Sequence, residues 1–416
     1  MTTTTALAAA VAALLMAIAA SPASALVAPR SPISGSAAFQ GHDCRLDPVR
    51  GDSGLGSIDR RWYPVRARGR VRATMLFVDY PGAAHTAAER PDAIRARLAT
   101  AAIRRYRIAS GGRLRLTVRG LDRWLRMPRA ARAYDTNTWA GQRALVADAV
   151  RAADRSFNFR GTQLLYVVSS RAGADAQSPT LILARRDAIH ADGTAMRLGA
   201  TFGRDALDPT NDAGAQILFH ETGHMFGLLD YYRYTPVGTE IHGDVGAWDP
   251  MGNAYLARGF TQWSRWLLGW IPDRQVLCLR RGAGRTVTLR PEGRPGGTQL
   301  VVVPTSRFTA VAIERRASLR SDAGTCDDGV LVYRTSMRAR SGAGPIRIVP
   351  ARRGSNADDC GLLGHAAFER GPGERCSVVV DRVRIEVVTQ NRHTSTVRVR
   401  PAATTPDPRT RDCATG

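Results

Sequence analysis

The chain of 416 residues contains no lysine: its 59 basic side chains are all arginine, set against 36 acids for a net charge of +23. Otherwise the composition is ordinary for a globular protein, with 44% hydrophobic and 23% charged residues, which excludes collagen-like, low-complexity and wholly disordered chains. No apolar run beyond residue 25 is long enough to span a bilayer, so no transmembrane anchor is expected. There is no internal repeat. Nor do the arginines cluster as a nucleic-acid footprint would; they are scattered, as codon usage in a GC-rich genome would leave them, and no specific nucleic-acid partner is expected. A polyanion binder is the alternative that the charge keeps open. The length suits two or three domains.

The amino-terminus has no charge before its apolar run. Thr2 to Thr5 lead into apolar residues 6–20, followed by Ser21, Pro22, Ala23, Ser24 and Ala25. A run this short, ending in a small-x-small site, reads as a signal peptide (1–25) cleaved near Ala25, and implies a secreted protein. Six cysteines follow: Cys44, Cys278, Cys326, Cys360, Cys376 and Cys413. An even count in an exported chain implies disulfides. Five of the six lie in 278–413, so complete pairing requires Cys44 to reach into that region. The alternative is an unpaired Cys44 that caps a metal from a propeptide.

Residues 26–69 read as a propeptide or lead-in. From there to 272 helical and strand patterns interleave: strands over 71–80, 114–119, 164–168 and 181–183, and helices over 91–110, 140–153 and 213–225. Beyond residue 272 short strand-like runs between Gly, Pro and Asp turns suggest an all-β, sandwich-like domain over 273–400. Residues 401–416 read as a flexible tail. The expected class is α+β.

One motif dominates: His220-Glu221-Thr222-Gly223-His224, followed by Gly227 and Asp230. Positions i and i+4 share a helix face, so both imidazoles can bind one zinc ion, while Glu221 reaches water without being a ligand. Zinc lowers the pKa of a water it binds; Glu221 takes the proton as that water attacks a carbonyl and returns it to the leaving amine. Gly227 lets the chain leave the helix in a left-handed conformation and bring Asp230 back as third ligand. Three alternatives remain at this stage: two histidines that merely hydrogen-bond, Asp230 as an orienting partner of a histidine, and His242 as the third ligand. Met251, within the turn-rich run 246–253, is a candidate for an apolar floor under the metal or a plain core residue. Tyr231, Tyr232 and Tyr255 are each candidates to donate a hydrogen bond to the oxyanion.

These residues resemble the immune inhibitor A-like family of secreted bacterial zinc metallopeptidases, of metzincin type. The likeness rests on the zinc motif with Asp230, the Trp248-Asp249-Pro250-Met251 turn, the strand ending Val78-Asp79-Tyr80-Pro81, and Trp266-Leu267-Leu268-Gly269-Trp270-Ile271. Ala312-Ile313-Glu314-Arg315-Arg316 and Gly329-Val330-Leu331-Val332-Tyr333 extend it into the β region, so that it spans about 70–335. The short motif is also similar to that of the much smaller snapalysins. The resemblance implies a metzincin-like catalytic domain over 70–272, zinc as cofactor, and protein or peptide substrates cut as an endopeptidase.

A catalytically inactive protease-like module that attaches to anionic surfaces is the alternative function. The expected protein is a monomer that binds anionic surfaces weakly. Activity is expected to fall as pH drops through the titration of His220 and His224. The window 205–256 opposes the global charge, with eight acids (Asp205, Asp208, Asp212, Glu221, Asp230, Glu240, Asp244, Asp249) and one base, Arg233. Such a segment suits cations: zinc, a candidate calcium (Ca2+), or basic substrate residues.

Overall fold

The computed structural model describes residues 38–46, 55–175, 177–208, 210, 213–280, 282–293, 296–325, 327–352, 361–402 and 411–412. The expected signal peptide lies outside them, as do Cys326, Cys360 and Cys413. The fold is mixed α/β, with many strands and few helices, and no described helix is long and apolar enough to cross a membrane.

The first part runs β1 (Ala38–Gln40), β2 (Gly69–Asp79), α1 (Pro91–Ala109), β3 (Leu114–Arg126), α2 (Trp139–Ala153), β4 (Leu164–Ser169), β5 (Thr180–Ile182), β6 (Ile189–Ala191), β7 (Thr194–Met196), β8 (Leu198–Phe202), α3 (Arg204–Leu207) and α4 (Ala213–Met225). A five-stranded sheet has the order β3-β2-β4-β8-β5. Its first four strands are parallel, and β5 closes one edge antiparallel to β8. Parallel strands need helical crossovers, and helices on both faces bury both sides of each strand; this is why β2 and β4 are apolar without alternation. Val71, Ala73, Met75 and Phe77 share a core with α1 and α4. Leu76 and Val78 pack with Leu145, Val146 and Ala149 of α2 on the other face. Pro91, whose missing N–H costs nothing there, opens α1, and the Thr138 hydroxyl accepts from Gly141 N to cap α2.

The second part contains β9 (Arg233–Thr235), β10 (Gly238–Glu240), α5 (Gln262–Leu267), β11 (Val276–Leu279), β12 (Arg285–Leu289), β13 (Leu300–Pro304), β14 (Thr309–Arg316), β15 (Gly329–Ser336), β16 (Ile346–Ile348), β17 (Arg375–Val380), β18 (Val383–Gln390), β19 (Ser395–Pro401) and β20 (Arg411–Asp412). Two sheets form, in the orders β1-β11-β13-β14-β15-β16 and β12-β19-β18-β17-β20. One apolar cluster joins them: Val301, Val303, Val311 and Val332 from the first, Val287, Val378, Ile385 and Val397 from the second. The first sheet is buried on its other face too, where Val302, Ala312 and Tyr333 share a core with Trp263, Trp266 and Trp270. Residues on either side of position 272 therefore share one interior.

Cys44 is bonded to Cys278, with the Cα atoms 5.5 Å apart, and this sets aside the unpaired metal-capping thiol. Cys376 is also in a disulfide. The tail region contributes β20 to the second sheet.

Candidate metal centre

Helix α4 carries the zinc motif with Leu218 and Phe219 buried in the core on one side, while His220, Glu221 and His224 share the opposite side. The hydroxyls of Tyr166 and Thr222 hydrogen-bond at 2.8 Å, and Tyr106 OH donates to the Phe219 carbonyl at 2.6 Å, which pins the helix to both sheet and α1. The helix ends in a Schellman motif: Leu228 N donates to Gly223 O and Gly227 N to His224 O. Gly227 has φ +102°, the left-handed exit expected of it, and a Cβ there would lie 2.6 Å from Ile58 Cγ2.

Three ligand atoms converge below this exit. His220 Nε2 and His224 Nε2 are 3.0 Å apart, and Asp230 Oδ1 lies 3.2 and 3.1 Å from them. Both Nδ1 atoms are spoken for: His220 donates to Pro250 O and His224 to Leu228 O, each at 2.8 Å. A carbonyl can only accept, so each neutral ring carries its proton on Nδ1 and turns a bare Nε2 lone pair inward. The other carboxylate oxygen of Asp230 accepts from Tyr234 OH at 2.6 Å and Ser341 Oγ at 2.9 Å. That leaves Oδ1 buried without a hydrogen-bond partner. Two lone pairs and an orphaned carboxylate oxygen facing one point make a donor set suited to a cation.

The set fits zinc. Bonds of about 2.0–2.1 Å in a tetrahedron hold ligand atoms about 3.3–3.4 Å apart, close to the spacings seen. Both rings carry the carbonyl partner typical of zinc-bound histidine, and three protein ligands leave a position open. Without a metal, the cluster meets the same demand with a proton. Burial lowers the proton affinity of His224, but the adjacent Asp230 carboxylate outweighs it and raises the pKa to about 9. Burial likewise opposes the ionisation of Asp230, and the two imidazoles overcome it and hold the carboxyl well below its usual range.

Glu221 stands apart from this triangle, its Oε1 at 4.0 Å from His220 Nε2. Its Oε2 accepts from the Thr180 hydroxyl at 2.5 Å, so β5 fixes the carboxylate. Burial raises its pKa, against the lowering influence of the histidines. Met251 is fully buried, and its sulfur packs on Gly223 so closely that a Cβ there would sit 2.7 Å from Sδ. The turn that carries it is clamped by Asp249, whose carboxylate accepts from Met251 N, Thr261 N, Thr261 Oγ1 and Ser264 Oγ. Arg316, itself paired with Glu314 and Asp322 in the interior, donates to Trp248 O in the same turn.

The tyrosine candidates separate. Tyr231 is fully buried with its hydroxyl on Ser264 Oγ, which takes it out of a substrate's reach and corrects its candidacy. Tyr232 stacks on the His220 ring with centroids 6.2 Å apart. Tyr255 is 44% exposed, and burial and then the charges of Asp205 and Glu221 raise its pKa. His242 lies beside Gly361 and does not join the cluster. Thr180, Tyr234, Ser341 and the Pro250 and Leu228 carbonyls are parts of the site that the motif does not announce. Tyr234 alone carries a local signal, four residues after Asp230. The ligand atoms of His220, Glu221 and His224 also lie within 4.8 Å of one another. No protein-family model matches the chain, and no curated protein matches it.

Proposed function

We propose that the protein is a secreted zinc-dependent endopeptidase of metzincin type, related to the immune inhibitor A-like family, with a sandwich-like β domain after its catalytic domain. The observation that carries the reading is the convergence of His220 Nε2, His224 Nε2 and the partnerless Asp230 Oδ1, with Glu221 beside them and outside the ligand set. His220, His224 and Asp230 would hold the ion. A bound zinc supplies a Lewis acid that acidifies water and polarises a carbonyl.

The chain's own residues do the rest. Thr180 occupies Glu221 Oε2, so Oε1 is the atom that takes a proton from the attacking water and passes it to the leaving amine. Burial of Glu221 strengthens its hold on that proton at mid-reaction. The Pro250 and Leu228 carbonyls keep both rings in the tautomer that binds metal, and Ser341 and Tyr234 fix the rotation of Asp230. Tyr232 and Tyr255 stay as candidate oxyanion donors. A polymeric peptide substrate is favoured because β5 ends its sheet beside Glu221, and an extended peptide can add to such an edge through backbone hydrogen bonds.

The test is a digest of a peptide library with purified protein, with and without chelator, mapped by mass spectrometry alongside metal analysis. About one zinc per chain, chelator-sensitive cleavage, and a loss of about 10²–10⁴-fold in Glu221→Gln with zinc retained are expected. Full activity in Glu221→Gln, or a chain that binds no zinc, overturns the proposal.

A further inference from the structure

A second concave site lies on the β region. It is a groove of about 650 Å³, within the range that takes small-molecule ligands, and its walls include Arg334, Arg347, Arg382, Asp381, Thr309 and Ser336. Three arginines and one acid, Asp381, line it. Arg334 uses Nε on Asp381, at 3.1 and 3.0 Å from the two carboxylate oxygens. Arg347 has Nε on the Gly344 carbonyl and lies 3.7 Å from Asp244. Arg382 makes no side-chain hydrogen bond or ion pair among the described residues.

The backbone under Arg382 gives this arrangement its weight. Val380 and Val383 pair across β17 and β18, so Asp381 and Arg382 form a two-residue hairpin loop. Both have positive φ, 49° and 63°. Such a loop favours glycine at its second position, because an L side chain there crowds the backbone. Strain of this kind persists where it serves a site. Here the residue that carries it is an unpaired arginine on a cavity wall.

We propose that this groove binds a phosphate or sulfate monoester carried on a polar, sugar-sized body. The arginine forks match the planar spread of oxyanion acceptors better than any ammonium would. The hydroxyls of Thr309 and Ser336 offer partners to a polyhydroxylated body, and the volume exceeds what an inorganic ion alone would fill. The site does not depend on the peptidase reading, since it is read by binding and needs no catalysis.

Titration calorimetry of the full chain at low salt tests it, with glucose 6-phosphate, a sulfated heparin-derived disaccharide, glucose, inorganic phosphate and inorganic sulfate as probes. The esters are expected to bind one per chain. Arg382→Gly is expected to weaken them about tenfold, as the loss of one charge-assisted contact does, while raising Tm by relieving the turn. Arg347→Gln, whose contacts are to Gly344, Ala343 and Asp244 and not to the turn, is expected to weaken them comparably. Glucose or the inorganic ions binding as tightly as the esters overturns the proposal, and so does unchanged ester binding in Arg382→Gly. A heparin-derived octasaccharide separates the sources: tighter binding than the disaccharide assigns the groove to a polymer, and equal binding to a free sugar ester.

Discussion

If the centre holds zinc as proposed, proton and metal compete for the same point between His220, His224 and Asp230, and the competition sets a pH dependence. In the metal-free protein the pKa of His224 is raised to about 9, from about 6.5 in an unfolded chain. A group raised on folding contributes stability that is fully present below the unfolded pKa and is lost as pH climbs through the folded one. The loss between pH 6.5 and 9 comes to about 3 kcal/mol at 1.36 kcal/mol per pKa unit. For a folded unit of this size, with about 2 cal/mol/K of unfolding entropy per residue, that lowers Tm by about 4 °C. Zinc must displace the same proton, so its affinity gains about tenfold per pH unit across the same window. At fixed free zinc, that gain adds about 1.4 kcal/mol per pH unit and cancels the loss. Burial also raises Glu369, to about 8, so the His224 contribution is read as the difference between wild type and His224→Gln. Calorimetric scans from pH 6 to 9.5 are expected to show the metal-free wild type falling toward the variant, and the zinc-loaded wild type level. Parallel curves for wild type and variant without metal, or zinc affinity that ignores pH, would refute the reasoning.

Three further outcomes follow from single contacts. Ser341→Ala removes the hydroxyl that donates to the Asp230 carboxylate and accepts from Asp230 N, and is expected to weaken zinc about tenfold in a chelator competition and to cost about 1–3 kcal/mol of stability. Gly227→Ala forces a side chain onto φ +102° and into Ile58, and is expected to cost about 1–3 kcal/mol by denaturant unfolding. Arg316→Ala leaves Glu314 and Asp322 buried without their cation; a loss of about 3–5 kcal/mol is expected in the same assay.

What the sequence discloses of this fold follows from how local each signal is. Helix α4 is legible to the residue, because its apolar spacing and its glycine exit both lie within the segment. The runs at 164–168 and 91–110 are legible for the same reason, one as an unbroken buried strand and the other as a glycine-stopped helix. Strand β8, between β4 and the edge strand β5, is not: Leu198-Gly-Ala-Thr-Phe202 has little β-branched content, and only its neighbours make it a strand. The hairpin of β6 and β7 has a signal that goes unused, the Asp192-Gly193 pair, both at positive φ. At the site, the shared face of His220, Glu221 and His224 is legible from helical spacing and the return of Asp230 toward it from the glycine exit. Pro250, Thr180 and Ser341 are not, because they arrive from 30, 41 and 111 residues away and no local pattern encodes those meetings.

The acidic window 205–256 takes on a different meaning once its partners are known. Asp244 is spent on Arg233, at 2.6 and 2.7 Å, and Asp249 on the turn that supports His220. Asp205 accepts from Ser178 and Ala206, and the outer oxygen of Asp230 from Tyr234 and Ser341. Four of the window's eight acids are thus engaged internally, and at the centre itself what remains for a cation is one carboxylate oxygen, two imidazole lone pairs and Glu221 Oε1. Attraction at the centre is therefore short-ranged and buried, whereas the three arginines of the proposed groove face solvent. The segment between β15 and β16 touches both: Ser341 and Gly342 hold Asp230, while Gly344 and Pro345 line the groove. Screening acts on exposed charges within about 8–10 Å at physiological ionic strength and much less on buried pairs. Salt should therefore separate the two sites on one molecule, abolishing ester binding in the groove at concentrations that leave zinc in place.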